Sequence, residues 1–220
     1  MIGSGIVKIL KDVYFSILHI YTYVIFGSFT RINFRNFVVN LLLVRRYRGT
    51  KGAVVECGVW RGGMVAAIAT VCGDSRKYFL FDSFEGLPDA KPVDGSTALE
   101  WQKSNDVENC ATDESFAEEA MKKSGATDYQ VVKGWFEETL DAVEKELPIA
   151  ILRLDADWYD STMTCLEKLY DQVVVGGIII IDDYYVWDGC SKAIHDFLSR
   201  RESADRISQF YGRVAYIVKR

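Results

Sequence analysis

Two apolar runs in this 220-residue chain end in paired carboxylates. Residues 149–152 lead through Arg153-Leu154 into Asp155-Ala156-Asp157, and Gly176-Gly177-Ile178-Ile179-Ile180-Ile181 leads into Asp182-Asp183, 27 residues after Asp155. Each run reads as a buried strand that stops in acid. If period-two alternation holds to the end of the first strand, Asp155 and Asp157 project to the same side. Carboxylates about 4 Å apart repel by about 4 kcal/mol per pair at an effective dielectric of about 20. A shared proton or a cation must relieve that repulsion, and all-oxygen donors favour a hard ion such as magnesium, calcium or manganese. The plainer reading is that single acids here cap the helices that follow; two pairs at two strand ends weigh against it.

A second constellation lies earlier in the chain. Residues 53–59 read as a buried strand, followed by Trp60-Arg61-Gly62-Gly63 and an apolar helix over 64–72. Gly58 and the Gly62-Gly63 pair let the backbone come close to a ligand facing the helix N-terminus. Glu56 precedes the first glycine, unlike the G-x-G-x-x-G of dinucleotide enzymes, and a carboxylate there suits a cationic or polar ligand such as a sulfonium amino acid. The next strand, 77–81, ends in Asp82-Ser83. Asp82 follows Gly58 by 24 residues, close to the spacing at which an acid binds ribose hydroxyls in doubly wound folds. A third strand, 129–133, closes in Gly134-Trp135-Phe136, where either aromatic residue is placed to lie against a ligand's base, although aromatics beside strands are more often core.

The elements that must position these residues alternate. Helices are predicted over 113–124, 139–147, 161–173 and 189–200, between strands over 149–155 and 177–182 and those above. That order implies a parallel sheet with right-handed crossovers, and ligands in such sheets sit beyond the strand carboxyl ends. Every motif above falls on that edge. Residues 89–112 are polar with little periodicity and read as a surface insertion, a candidate mobile lid. His195 reads as a helix-face residue. Residues 206–210 and 213–219, joined through Tyr211-Gly212, read as a hairpin that adds antiparallel strands to the sheet edge.

Composition narrows the class. Nearly half the residues are apolar, which excludes a disordered chain. The net charge of −5 argues against a dedicated nucleic-acid binder. Residues 1–52 carry eight Lys or Arg against Asp12 alone, a balance of +7 that leaves −12 for the remainder. The five cysteines are widely spaced with no CxxC, a pattern of reduced thiols in a cytoplasmic protein, and two distant histidines make zinc a poor choice. Residues 13–30 contain no Asp, Glu, Lys or Arg. Polar residues within them argue against a membrane span. They read first as a helix packed on the domain or on a partner subunit in a homo-oligomer, and second as an interfacial membrane helix flanked by Lys8, Lys11, Arg31 and Arg35, a peripheral membrane contact. A further helix is predicted over 34–48. The chain thus divides into an N-terminal helical segment, 1–50, serving as lid, oligomerisation or membrane-associated element, and a catalytic domain, 51–220.

Val55-Glu56-Cys57-Gly58-Val59-Trp60-Arg61-Gly62-Gly63, Phe81-Asp82-Ser83-Phe84-Glu85-Gly86-Leu87-Pro88, Leu154-Asp155-Ala156-Asp157 and Ile181-Asp182-Asp183-Tyr184 together resemble the macrocin O-methyltransferase (TylF) family. The resemblance runs from about residue 50 to the end. It implies an α/β, Rossmann-like class I methyltransferase fold with a mostly parallel seven-stranded sheet and a C-terminal antiparallel hairpin. It also implies S-adenosylmethionine as methyl donor and a magnesium ion, or another hard divalent cation, assisting methylation of a sugar hydroxyl on a glycoside or glycan acceptor. By the same resemblance Asp155, Asp182 and Asp183 match metal ligands, and Asp157 matches a general base. Glu56, Gly58, Arg61, Gly62, Gly63, Asp82 and Ser83 match donor-binding positions, to which the residue reading adds Gly134 and Trp135. Two alternatives stay open: a metal-dependent methyltransferase of another small-molecule diol, and a nucleotide-binding module without catalysis.

Overall fold

The computed structural model describes residues 18–104, 109–143 and 146–220, so the expected helix start at 13–17 lies outside the described residues. Seven strands form one sheet: β1 (Ala53–Cys57), β2 (Tyr78–Asp82), β3 (Tyr129–Lys133), β4 (Ile149–Leu154), β5 (Val173–Ile181), β6 (Ile207–Phe210) and β7 (Val214–Val218). Their order is β3-β2-β1-β4-β5-β7-β6. The first five pair in parallel, whereas β7 runs antiparallel to both β5 and β6. The C-terminal hairpin thus inserts β7 beside β5 and leaves β6 at the edge.

Alternation along the strands divides the core in two. Val54, Ile151, Ile178 and Ile180 face one cluster, while Val55, Leu152, Ile179 and Ile181 face the other. Each strand is apolar on both sides because helices cover both faces. The first face is covered by α2 (Phe34–Tyr47), α3 (Gly63–Cys72) and α5 (Ser115–Ser124), and the second by α7 (Tyr159–Leu169) and α8 (Asp188–Arg200). Ahead of α2, residues 18–26 form α1, and Gly27–Phe29 add a 3-10 turn.

Three local expectations are revised. The helix expected over 139–147 is instead a short α6 (Phe136–Thr139) followed by a 3-10 turn, Leu140–Ala142. Glu137 and Glu138 favour a helix N-terminus there, and Thr139 ends it by bonding its hydroxyl back to the Trp135 carbonyl at 2.8 Å. The insertion over 89–112 contains a nine-residue helix, α4 (Ser96–Ser104), whose only buried residue is Ala98. That narrow apolar face is why it escapes a periodicity search. Strand β5 starts at Val173 rather than 177, because a register irregularity against β4 at Ile149/Ile151 and a left-handed Gly176 let the chain kink and stay paired.

The N-terminal helices are part of this core. Phe37, Leu41, Leu43 and Val44 of α2 are fully buried, and the Phe37 ring meets Tyr23 of α1 edge-on at 5.1 Å. Replacing Phe37 with Ala is expected to cost about 3–5 kcal/mol of unfolding free energy. Urea denaturation measures it; a cost below about 1 kcal/mol would mean that α2 is not integral to the domain.

Candidate active site

The strand carboxyl ends deliver the predicted residues to one edge. Glu56 on β1 and Arg153 on β4 are register partners, and both are buried. The Arg153 Nη1 donates to Glu56 Oε1 and, at 2.9 Å, to Asp155 Oδ2, while its Nη2 lies 2.6 Å from Asp182 Oδ1. Arg153 is the only buried Lys or Arg among the described residues. Burial alone would lower the guanidinium's pKa, but the Asp182, Asp155 and Glu56 charges outweigh it and hold Arg153 above its ordinary value.

Beyond Arg153 the carboxylates crowd together. Asp155, Asp157 and Asp183 each bring an oxygen within 4.8 Å of the others. Asp157 reaches this cluster by a turn rather than by strand alternation, since β4 ends at Leu154. The Asp157 backbone is left-handed at φ 53°, and the Trp158 N–H bonds back to the Ala156 carbonyl at 2.6 Å. A tight three-residue turn of this kind is strained for a non-glycine residue. Asp183 braces it by accepting the Asp157 N–H at 3.3 Å. The Trp187 indole N–H, at 2.9 Å, binds Asp157 Oδ1.

Withdrawal from water raises the pKa of each member of the group. Burial pushes Asp157 up to about 8, and the neighbouring Asp155 charge adds to it. Asp155 rises to about 6, again through burial, with Arg153 opposing. Asp183 is held well above the ordinary carboxylate range by burial and by Asp157. Glu56 rises to about 8 by burial, although Arg153 draws it down. The donor set is all carboxylate oxygen, the set a hard divalent cation takes.

A cleft of about 480 Å³ adjoins the cluster and is lined by Gly58, Asp82, Ser83, Gly134, Trp135 and Asp155 among others. Gly58 sits at φ 85°, and a Cβ there would come within 1.8 Å of the Asp155 carbonyl oxygen, so the ends of β1 and β4 touch only because this residue has no side chain. Asp82 holds two loops at once: Oδ2 accepts the Trp60 N–H and Oδ1 the Phe84 N–H, each at 2.7 Å. Burial raises its pKa against those backbone bonds. Ser83 closes the following turn through Glu85 N–H at 3.1 Å and the Gly86 carbonyl at 2.9 Å. Trp135 is half-buried in the wall.

Other predicted positions stand back. Arg61 lines neither this cleft nor its neighbour; it lies between the Trp60 and Phe116 rings, 4.4 and 4.5 Å from their centroids, and bonds to Thr112 at 3.2 Å. Gly62 caps α3, and Gly63 lets the Phe29 carbonyl approach. His195 bonds to the Tyr184 hydroxyl at 2.9 Å, apart from the carboxylates.

A second cleft, about 310 Å³, holds the acids Glu56, Asp155, Asp157, Asp182 and Asp183 and shares Gly58, Asp82 and Asp155 with the first. Its outer wall comes from Thr30 to Asn33, Trp60, Trp101 and Trp187. Trp101, Trp158 and Trp187 form a mutually edge-on trio with centroids 5.2 to 6.2 Å apart. Asp94, buried, ties the insertion to the start of α7 through the Tyr159 N–H at 2.7 Å.

The macrocin-O-methyltransferase (TylF) family model matches residues 31–218. The chain belongs to this family. Among its relatives, the 8-demethyl-8-(2,3-dimethoxy-alpha-L-rhamnosyl)-tetracenomycin-C 4'-O-methyltransferase of Streptomyces olivaceus is 37% identical over 74% of this chain and 64% of its own length. The mycinamicin III 3''-O-methyltransferase of Micromonospora griseorubida is 32% identical over 72% of this chain and 65% of its own. The chain therefore spans just under two thirds of the length of these curated relatives. The O-methyltransferase NovP superposes with a TM-score of 0.70 at 28% identity, over 83% of this chain and 80% of that one. CalS11, a calicheamicin methyltransferase, gives 0.69 at 22% identity over 86% and 80%, a likeness of fold alone. The architecture is the Rossmann-like class I methyltransferase fold that the sequence implied.

Reading the sequence for acids passed over four residues of this TylF-family site. Arg153 carried a signal, an arginine inside an otherwise apolar strand, which requires a buried partner. Trp101, Trp158 and Trp187 carried none, because they meet only in the folded chain.

The raised carboxyl groups fix a pH dependence. Below the ordinary carboxylate pKa of about 3.9 both folded and unfolded chains are protonated at these sites. Above it the folded chain holds protons that the unfolded chain has released, so stability declines until pH passes the folded values. In chelator, Tm is expected to fall as pH rises from about 4 to about 8, Asp155 contributing up to about 6 and Asp157 up to about 8, and Asp157→Asn to flatten the upper part of that fall. A Tm that rises over the same range would contradict the burial of these acids.

Proposed function

We propose that the chain transfers the methyl group of S-adenosylmethionine to a sugar hydroxyl of a glycoside or glycan, with magnesium or another hard divalent cation at the carboxylate cluster. The observation that carries this reading is the sharing of Gly58, Asp82 and Asp155 by the glycine-walled cleft and the acid-lined one. A donor seated in the first and an acceptor in the second would meet across Asp155. Methyl transfer to glycosides by the relatives supports the choice of acceptor.

The residues suit both groups. Six acids line this cleft against two guanidinium groups, Arg31 in the wall and Arg153 beneath it, an excess of negative charge that a divalent ion offsets. Asp155 and Asp183 of the cluster would hold it, joined by Asp182, which stands outside the 4.8 Å group and would use the oxygen that Arg153 leaves free. A cation there supplies positive charge that ionises Asp157 and makes the acceptor hydroxyl more acidic.

The chain's own groups do the rest. Asp82 offers ribose hydroxyls the lone pairs not taken by Trp60 and Phe84 N–H groups. Trp135 provides an apolar wall for the base. Trp101 and Trp187 present ring surface to the apolar face of a sugar. Asp157, its Oδ1 held by Trp187, takes the hydroxyl proton on Oδ2 as the sugar oxygen accepts the methyl.

Donor consumption over a panel of glycosides, with and without chelator, tests the reading. Chelation is expected to abolish S-adenosylhomocysteine formation and magnesium to restore it. Asp157→Asn is expected to lower kcat by about 10² to 10⁴, while calorimetric affinity for S-adenosylhomocysteine is unchanged. Full turnover in chelator would remove the cation from the account, and an unimpaired Asp157→Asn enzyme would remove the base.

A further inference from the structure

Helix α1 has two apolar faces, and among the described residues only one is covered. Phe26 packs into the core, and the Tyr23 ring meets Phe37. The other face exposes Ile20, Tyr21 and Val24 at 51, 62 and 75% of their surface, with Leu18 at 37%. Positions 20 and 24, and 18 and 21, stand four and three apart, so these side chains share one stripe. Phe34 at the start of α2, 42% exposed and 5.1 Å from the Tyr23 ring, extends the patch. No helix among the described residues is long and apolar enough to cross a membrane.

Charge decides what fits this surface. Arg31 and Arg35 follow α1, are exposed, and pair with no carboxylate among the described residues. Residues 18–36 carry these two arginines and no Asp or Glu. A second copy seated on the patch by a two-fold axis would bring two such cationic segments together. An anionic lipid surface meets both the apolar stripe and the cations, as interfacial helices do.

We propose that α1 and the start of α2 form a membrane-docking element for anionic lipid. Thr30, Arg31, Ile32 and Asn33, which continue directly from α1, also form the wall of the acid-lined cleft. Docking therefore holds the mouth of that cleft at the bilayer. The docking stands apart from the reaction. Its consequence, that the acceptor sugar is carried on a membrane lipid, rests on the proposed methyl transfer.

The test is flotation of the whole chain with vesicles of roughly three parts phosphatidylcholine to one part phosphatidylglycerol. The chain is expected to float with these and not with phosphatidylcholine alone. The double variant I20E/V24E is expected to lose at least about tenfold in partitioning, and R35Q a few-fold, with Tm and S-adenosylhomocysteine affinity unchanged in both. Failure of the wild-type chain to float overturns the proposal, as does flotation of I20E/V24E and R35Q equal to that of the wild-type chain. A dimer in sedimentation velocity that I20E/V24E dissociates, without flotation, assigns the patch to self-association instead and also overturns it. Flotation without S-adenosylhomocysteine binding would leave docking standing and remove the proposed function.

Discussion

The site depends on one buried cation. Arg153 sits at the centre of the sheet with Glu56 beside it in register and with Asp155 and Asp182 at the ends of β4 and β5. Removing a guanidinium from water costs several kcal/mol, and only well-placed counter-charges offset it. Three carboxylates do so here, and in return each is fixed in direction by a rigid, planar donor. The arginine thereby sets where Asp155, within the cluster, and Asp182, beside it, point. Its side chain is itself fully buried, so a displaced carboxylate would leave the guanidinium without water to replace the lost partner.

Around that fixed centre the backbone is bent out of its easy conformations. Trp60, Phe84 and Asp157 all have positive φ, at 49, 57 and 53°, and each follows the carboxyl end of a parallel strand. Side-chain carboxylates hold all three turns: Asp82 binds the amides of Trp60 and Phe84, and Asp183 binds that of Asp157. Strain at a residue with a side chain persists only when its surroundings over-determine it. In this chain the same kind of group, an aspartate largely withdrawn from water, shapes the loops and lines the clefts.

How much was legible in the sequence follows from how local each cause is. The sheet was readable because its strands are buried on both faces and run apolar without interruption, as in residues 178–181. The glycine turn and the four acids at strand ends were readable because their positions along the chain already place them on one edge. The approach of Asp157 to Asp155 was expected for a different reason from the one found: alternation stops at Leu154, and a left-handed turn brings the side chain round. The Arg153 network, the tryptophan trio and the contribution of residues 30–33 to the acid-lined cleft were not legible, since each joins segments far apart in sequence. The Trp101 ring, for example, meets Trp187 at 6.0 Å across 86 positions. Helix α4 was missed because a helix with one buried residue has almost no period to detect.

The two clefts differ in what builds them, and that difference has a consequence for how such a fold diversifies. The acids that could do chemistry stand on or directly after strands whose register is fixed by the buried ladder. By contrast, the outer wall of the acid-lined cleft comes from segments beside the sheet: residues 30–33 before β1, Trp60 after β1, Trp101 in the insertion after β2, and Trp187 after β5. Loops tolerate substitution and length change because few core contacts depend on them. The wall of this cleft can therefore change through these segments while the carboxylates keep their geometry. Trp187 is the exception, since its ring belongs to the wall and its N–H holds Asp157. A change at that position would alter the cleft wall and the direction of Asp157 together, which couples the two at this single side chain.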